Sequence, residues 1–388
     1  MRILIYTHAF APKVGGVETL VLSLAKGLAD RAAACGESLE LTVVTPTLPD
    51  GFADQPLAFR VIRRPSFWQL MRLLRGADVV HLAGPSFVPL VMALALGKPV
   101  VVEHHGFQTI CPNGLLFYEP TKSPCPGHFM ARRHAECLRC NVGQGKWRSL
   151  KMWLFTFPRR WLCRQVTRNI APTCWLSELL KLPRTTTVLH GVANHSSSAA
   201  PQSPQPPLAF AFLGRLVSTK GAHILLQAAQ RLKERGLKFR VRIIGEGPER
   251  SRLEAQAEAL QLKDDVAFLG YLPSAKLDET LAEAVAIVTP SLGGEVFGLV
   301  VAENMMNGRL LIVSDIGALA EVVGDAGLRF PPGDVKRLAD CMQKVLESPE
   351  LVGELGRKAR ERATRLFALD RAVEEHGYVY KEVLSWRD

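Results

Sequence analysis

The chain has 388 residues, 47% of them hydrophobic, with 48 Lys and Arg against 37 Asp and Glu for a net charge of +11. That length exceeds one ordinary core and predicts two domains, and the apolar share excludes a disordered or fibrous polypeptide. The longest apolar run, Phe87 to Leu96 and broken by Pro89, is too short to span a bilayer, so any membrane contact is expected to be peripheral.

The opening MRILIYTHAF reads as a β-strand rather than a signal peptide, which predicts a cytoplasmic protein. Gly15, Gly16, Val17 and Glu18 follow and open an apolar helix. Paired glycines there let a ligand approach the backbone closely, although the same pair also serves as a plain turn. LTVVTPT, DVVHLAG and PVVVEHHG are short β-branched runs of the kind buried in parallel sheets, with helical or turn-rich segments between them.

The alternation weakens after Gly106, in an insertion placed at about 107–145. Cys111, Cys125, Cys137 and Cys140 crowd into it and end in a C-x2-C pair. In a cytosolic chain that spacing favours a structural zinc over disulfides, with unligated or redox-variable thiols as the alternative. A catalytic zinc is disfavoured, because four thiolates leave no open position. Cys35, Cys163, Cys174 and Cys341 are scattered and read as small buried hydrophobes.

From Met130 to Ile170 there are ten basic residues against the single acid Glu136, interleaved with Trp147, Trp153, Phe155, Phe157 and Trp161. This mixture predicts a helix lying on an anionic membrane surface; a solvated basic helix with its aromatics in the core is the competing reading. No helix-turn-helix or RNA-binding signature accompanies the charge, so a nucleic-acid partner is not expected.

After TTTVLHG comes ANHSSSAAPQSPQPP, with the composition of an interdomain linker. The expected division is a first domain at 1–197, a linker at 198–207, a second domain at 208–369 and a last helix at 370–388 crossing back to the first. The second domain begins with LAFAFLGR, whose strand runs into Gly214-Arg215-Leu-Val-Ser-Thr-Lys220-Gly221. Two cations across one strand-to-helix turn can grip a single pyrophosphate, Arg215 as a planar fork and Lys220 as a point charge; seen alone, the pair is an ordinary charged loop. In IIGEGPER, Gly245 and Gly247 predict a tight turn able to wall a nucleobase pocket. VAIVTPS then precedes Glu295-Val-Phe-Gly-Leu-Val-Val-Ala-Glu303. Phe297, Gly298 and Leu299 open a helix whose N-terminal N–H groups favour a diphosphate. Glu303 is positioned to accept from ribose hydroxyls and Glu295 from a sugar hydroxyl, against the plainer reading of two acids on a surface helix. The fold class is α/β, two Rossmann-like domains facing across a cleft, with ligands at the carboxyl ends of the strands.

In order and spacing, GGVE, GRLVSTKG, IIGEGPER, EVFGLVVAE and SDIGALAEVV resemble the retaining glycosyltransferases of family 4, also called group 1, which have the GT-B fold. The resemblance implies that Arg215 and Lys220 hold the donor diphosphate, Glu303 the ribose and Glu295 the transferred sugar, with Gly16 close to the donor. It also implies a histidine near the sugar after the fourth strand, for which His105, followed by Gly106, fits better than His104. The implied donor is a nucleotide-diphosphate sugar and the implied acceptor a lipid-linked or cell-envelope glycan. With no Asp-x-Asp motif in view, no cofactor is expected to be required for catalysis. LHGVAN and NMMNGRL depart from the family's usual Asn-Gly-Val-Asp and Ala-Met-Ala-x-Gly-x-Pro, which touches the acceptor side and a local helix turn. Another GT-B enzyme, such as a sugar-nucleotide epimerase or a phosphorylase, and a non-catalytic nucleotide-sugar binding protein are the alternatives.

Overall fold

A computed structural model describes residues 1–193 and 207–385. The predicted linker at 198–207 lies outside the described residues except for its last position. The chain divides into two compact units. The first comprises Met1–Gly114, Gly127–Ala193 and, among the described residues, 367–385; the second comprises Leu115–Pro126 and, among the described residues, 207–366.

In the first unit, β1 (Arg2–Thr7), β2 (Glu40–Thr45), β3 (Arg60–Arg63), β4 (Val79–Ala83) and β5 (Val100–Glu103) precede a short excursion of the chain into the other unit. The excursion forms an antiparallel hairpin of β6 (Phe117–Tyr118) and β7 (Ser123–Pro124). Back in the first unit, β8 (Arg168–Ala171) and β9 (Thr185–Thr187) complete a parallel sheet of order β3-β2-β1-β4-β5-β8-β9. β4 and β5 are buried along their whole length, as strands covered by helices on both faces must be. Ile3, Ile5, Val43 and Val101 form one core with Val21 and Leu28 of the helix Gly16–Ala34 and with Val373 and Tyr380 of the helix Leu369–Ser385.

The second unit is a parallel sheet of β10 (Ala209–Leu213), β11 (Arg240–Ile244), β12 (Val266–Gly270), β13 (Ala284–Thr289), β14 (Leu311–Ser314) and β15 (Leu328–Phe330). Its order is β12-β11-β10-β13-β14-β15. Counted within the unit this is the doubly wound sequence 3-2-1-4-5-6, whose switch point falls between β10 and β13. The β6–β7 hairpin belongs here: Phe117 is fully buried in the core with Phe210, Leu225 and Val288, and the Gly294 N–H donates to the Leu115 carbonyl at 2.7 Å. The insertion therefore does not stay whole with the first domain. Its apolar tip finds burial in the second unit, which local sequence pattern does not reveal.

The basic aromatic segment is a helix, Lys146–Cys163, and it exposes Trp147, Leu154, Phe155, Phe157 and Trp161. The Phe155 ring meets Phe87 of the helix Phe87–Ala95 at 5.4 Å, and that helix exposes Val88 and Val91. Among the described residues no helix is long and apolar enough to cross a membrane. Cys163 is buried, whereas Cys35 and Cys174 are exposed, so the reading of the scattered cysteines as buried hydrophobes fails for those two. Cys35 caps the end of a helix and Cys174 begins one, positions set by backbone geometry rather than by apolar packing.

Candidate active site

The loops that leave β10, β11 and β13 flank the switch point of the second unit and carry the predicted residues. After β10 the chain turns through Gly214 and the exposed Arg215 into a single 3-10 turn, Ser218–Lys220. After β13, Pro290 to Gly298 lead into the helix Leu299–Met306. Lys220 and Glu295 meet directly: Lys220 Nζ donates to Glu295 Oε1 at 2.6 Å, and Ser291 Oγ donates to the same oxygen at 2.8 Å. Glu295 is nearly buried and Lys220 about a third exposed, so the cation presents its outer side to solvent and to any ligand.

Gly298 caps the helix in the left-handed region, φ +94°, and its carbonyl accepts from the Val301 N–H at 2.9 Å and the Ala302 N–H at 3.1 Å. The Phe297 side chain is buried in the unit, so only its backbone is available to a ligand. Gly245, at φ +131°, ends β11, and a Cβ there would stand 2.0 Å from the Gly214 carbonyl oxygen. The turns after β10 and β11 therefore touch backbone to backbone. Glu303, half-buried in the second turn of the helix, has its carboxyl pushed up to about 7 by burial and by the charge of Asp278.

In the first unit, Gly15 caps the helix Gly16–Ala34 in an extended conformation, and Gly16 is its first residue. His105 follows β5, but its ring is turned into the protein: Nε2 lies 3.5 Å from Glu103 Oε2, and the ring centroid lies 5.2 Å from that of His190. Glu103 is the centre of a group that sequence reasoning missed. Its Oε1 is 3.2 Å from His190 Nε2, and its Oε2 is 3.2 Å from His81 Nε2 and 3.5 Å from His376 Nε2. Burial pushes His190 down to about 4 and lowers His81 as well. Burial also works to raise Glu103 and to lower His376; their mutual attraction and the other imidazoles outweigh it, holding Glu103 well below the usual carboxylate range and raising His376. His104 is fully buried on Asn169 Oδ1 at 2.9 Å and is pushed down to about 4, again by burial. The signal for His190 is present in LHGVAN, where the departure from the family pattern marks the position.

Of the insertion cysteines, Cys111, Cys137 and Cys140 are buried and Cys125 is half-buried. Asn113 joins two of them, accepting from Cys111 Sγ at 2.9 Å and donating to Cys140 Sγ at 3.5 Å.

Two doubly wound parallel sheets, the second with a cation–carboxylate pair beside a helix N-terminus, define the class: an α/β protein of two Rossmann-like units. Residues 195–362 match the family profile described as Glycosyl transferases group 1, and residues 14–192 match that of Glycosyltransferase Family 4. The chain belongs to this family and has the GT-B fold. It is 36% identical over 165 residues to the D-rhamnosyltransferase WbpZ of Pseudomonas aeruginosa, which covers 42% of each chain. Matched stretches cover between 18% and 45% of the length of the curated relatives at the head of the comparison. Among solved structures, sucrose-phosphate synthase from Thermosynechococcus elongatus superposes with a TM-score of 0.72 at 19% identity over 99% of both chains. The Anabaena protein HepE in complex with UDP superposes with a TM-score of 0.71 at 16% identity, over 98% of this chain and 100% of that one.

Proposed function

We propose that this chain is a retaining glycosyltransferase that moves a hexosyl-type sugar from a nucleotide-diphosphate sugar to a lipid-linked or cell-envelope polysaccharide acceptor. One observation carries the reading: Lys220 Nζ sits 2.6 Å from Glu295, on the loops that flank the switch point, with the Gly298-capped helix opening from the same loop. In this reading Lys220, Arg215 and the N–H groups at Gly298 and Leu299 hold the diphosphate and stabilise the charge that grows on it as the sugar departs. Glu303 accepts from the ribose hydroxyls, Glu295 from the sugar, and Gly245 shapes the base pocket. Gly15 and Gly16 let the first domain's backbone approach the donor. His105, which follows β5, is the histidine placed near the transferred sugar in this reading. Retention follows if the leaving phosphate takes the acceptor's proton on the face it vacates, the protein supplying position and charge rather than a nucleophile.

The exposed aromatic and basic face of the helix Lys146–Cys163 supports peripheral contact with the cytoplasmic face of a membrane, where a lipid-linked acceptor would be met. The structural zinc expected at Cys111, Cys125, Cys137 and Cys140 is not supported: among the described residues these four do not gather into a group able to hold a metal ion, because Cys125 is carried on the excursion at 115–126 that packs with the second unit. The test is thermal stability across a panel of uridine, guanosine and adenosine diphosphate sugars, since a ligand that binds only the folded state raises Tm. At least one is expected to raise it, and Lys220→Ala and Glu303→Ala to remove that rise together with transfer. A protein indifferent to every sugar nucleotide, or variants that bind and turn over as before, would refute the assignment.

A further inference from the structure

Among the described residues of the first unit, Glu103, His105 and His190 each place one ligating atom within 4.8 Å of the other two. Glu103 faces the two imidazoles through different oxygens: Oε1 lies 3.2 Å from His190 Nε2 and Oε2 lies 3.5 Å from His105 Nε2. Metal–N and metal–O bonds of about 2.0–2.1 Å arranged tetrahedrally put neighbouring ligands about 3.3 Å apart, so these separations are those of a coordination shell. They do not serve as hydrogen bonds for His105, whose two ring nitrogens are both buried without a hydrogen-bond partner.

Beside the three side chains lies a cavity of about 20 Å³, lined also by His376 and closed by apolar groups such as Leu20 and Leu369. That is room for about one water. His376, whose Nδ1 donates to the Ala372 carbonyl at 2.7 Å, also lines the cavity.

We propose that Glu103, His105 and His190 bind one divalent transition-metal ion of the zinc class, with a water in the adjoining cavity as its fourth ligand. Two imidazoles and a carboxylate suit zinc and its neighbours rather than calcium or magnesium, which take oxygen. The ion would join the end of β5 to the segment after β9, and its water would reach His376 on the last helix of the unit. The apolar wall fits a structural ion rather than a hydrolytic one. This proposal shares His105 with the proposed sugar site, but it fails or holds on metal content, whatever the chain transfers.

The experiment loads the full chain with Co²⁺, in wild type and in a Glu103→Gln/His190→Gln variant. Wild type is expected to hold one more ion per chain, and the ion lost in the variant to contribute no thiolate-to-cobalt charge-transfer band, which separates it from any ion on the cysteines. A folded variant with unchanged metal content overturns the proposal. So does a wild type that takes up cobalt with thiolate bands alone, or none, the cavity then holding water only. Should the variant fail to fold, X-ray absorption at the metal edge of wild type decides: a histidine shell near about 2.0–2.1 Å is expected, and a pure sulfur shell near about 2.3 Å overturns the site.

Discussion

Glu303 carries the most direct prediction at the scale of single residues. Its folded carboxyl titrates at about 7, above the ordinary 4.5, so the folded state binds more protons than the unfolded state between those values. The stabilisation is complete below about 4.5 and is lost as pH rises through about 7. Glu303→Gln, neutral throughout, is therefore expected to gain on wild type as pH rises, by up to about 3 kcal/mol at pH 8, and to match it near pH 4. Urea unfolding at the two pH values measures this; a difference that does not change with pH contradicts the assigned titration. The residues of the loops after β10 and β13 are legible because each motif is contiguous, Arg215 with Lys220 on one turn and Glu295 with Glu303 across another. The Glu103 group was not legible, because His81, Glu103, His190 and His376 come from separate elements and are gathered only by the sheet and the last helix.

Among the elements, strands with continuous apolar runs are readable, whereas β3, β8 and β15 are not. β3 is a half-buried edge strand that begins and ends in Arg, and β15 is a three-residue edge strand. β8 carries the polar Asn169 in its interior, held by His104 and by the Cys163 and Pro183 carbonyls, so its sequence lacks the expected apolar signature. The basic aromatic helix posed the opposite problem: its composition was plain, but which way its rings face was not. In the structure Trp147 is 84% and Trp161 61% exposed. Such rings beside Arg148, Lys151 and Arg164 fit a headgroup layer, each cation near an anionic leaflet contributing about 1 kcal/mol. Sedimentation with phosphatidylserine-containing vesicles is expected to carry down the wild-type protein at low salt. Trp147→Ala/Trp161→Ala should remain largely in the supernatant, and raised salt should release the wild type. Equal binding to purely zwitterionic vesicles, or a variant that sediments like wild type, argues that this face meets water or protein instead.

At the scale of the whole molecule, the two domains follow from chain length and from a composition break near residue 200, but their membership does not follow from chain order. The second unit takes in residues 115–126, from the middle of the first half, and the first takes in the last helix. Phe117 is the reason for the first exchange: it is completely buried in the second unit's core, and the hypothetical Cβ of Gly293 would sit 3.0 Å from its own. The Leu115 carbonyl accepts from Gly294, on the loop that carries Glu295. Removing a buried phenyl ring costs about 3–5 kcal/mol, and here that cost should fall on one unit. Phe117→Ala is accordingly expected to speed hydrogen exchange at the amides of β10 and β13 by opening their core, while the amides of β1 and β4 keep their protection. Because the same hairpin braces the Glu295 loop, the variant should also bind sugar nucleotide more weakly at temperatures where it is still folded. Equal loss of protection in both sheets would mean that the units unfold as one, and unchanged protection in β10 and β13 would mean that Phe117 contributes nothing to the core in which it is buried.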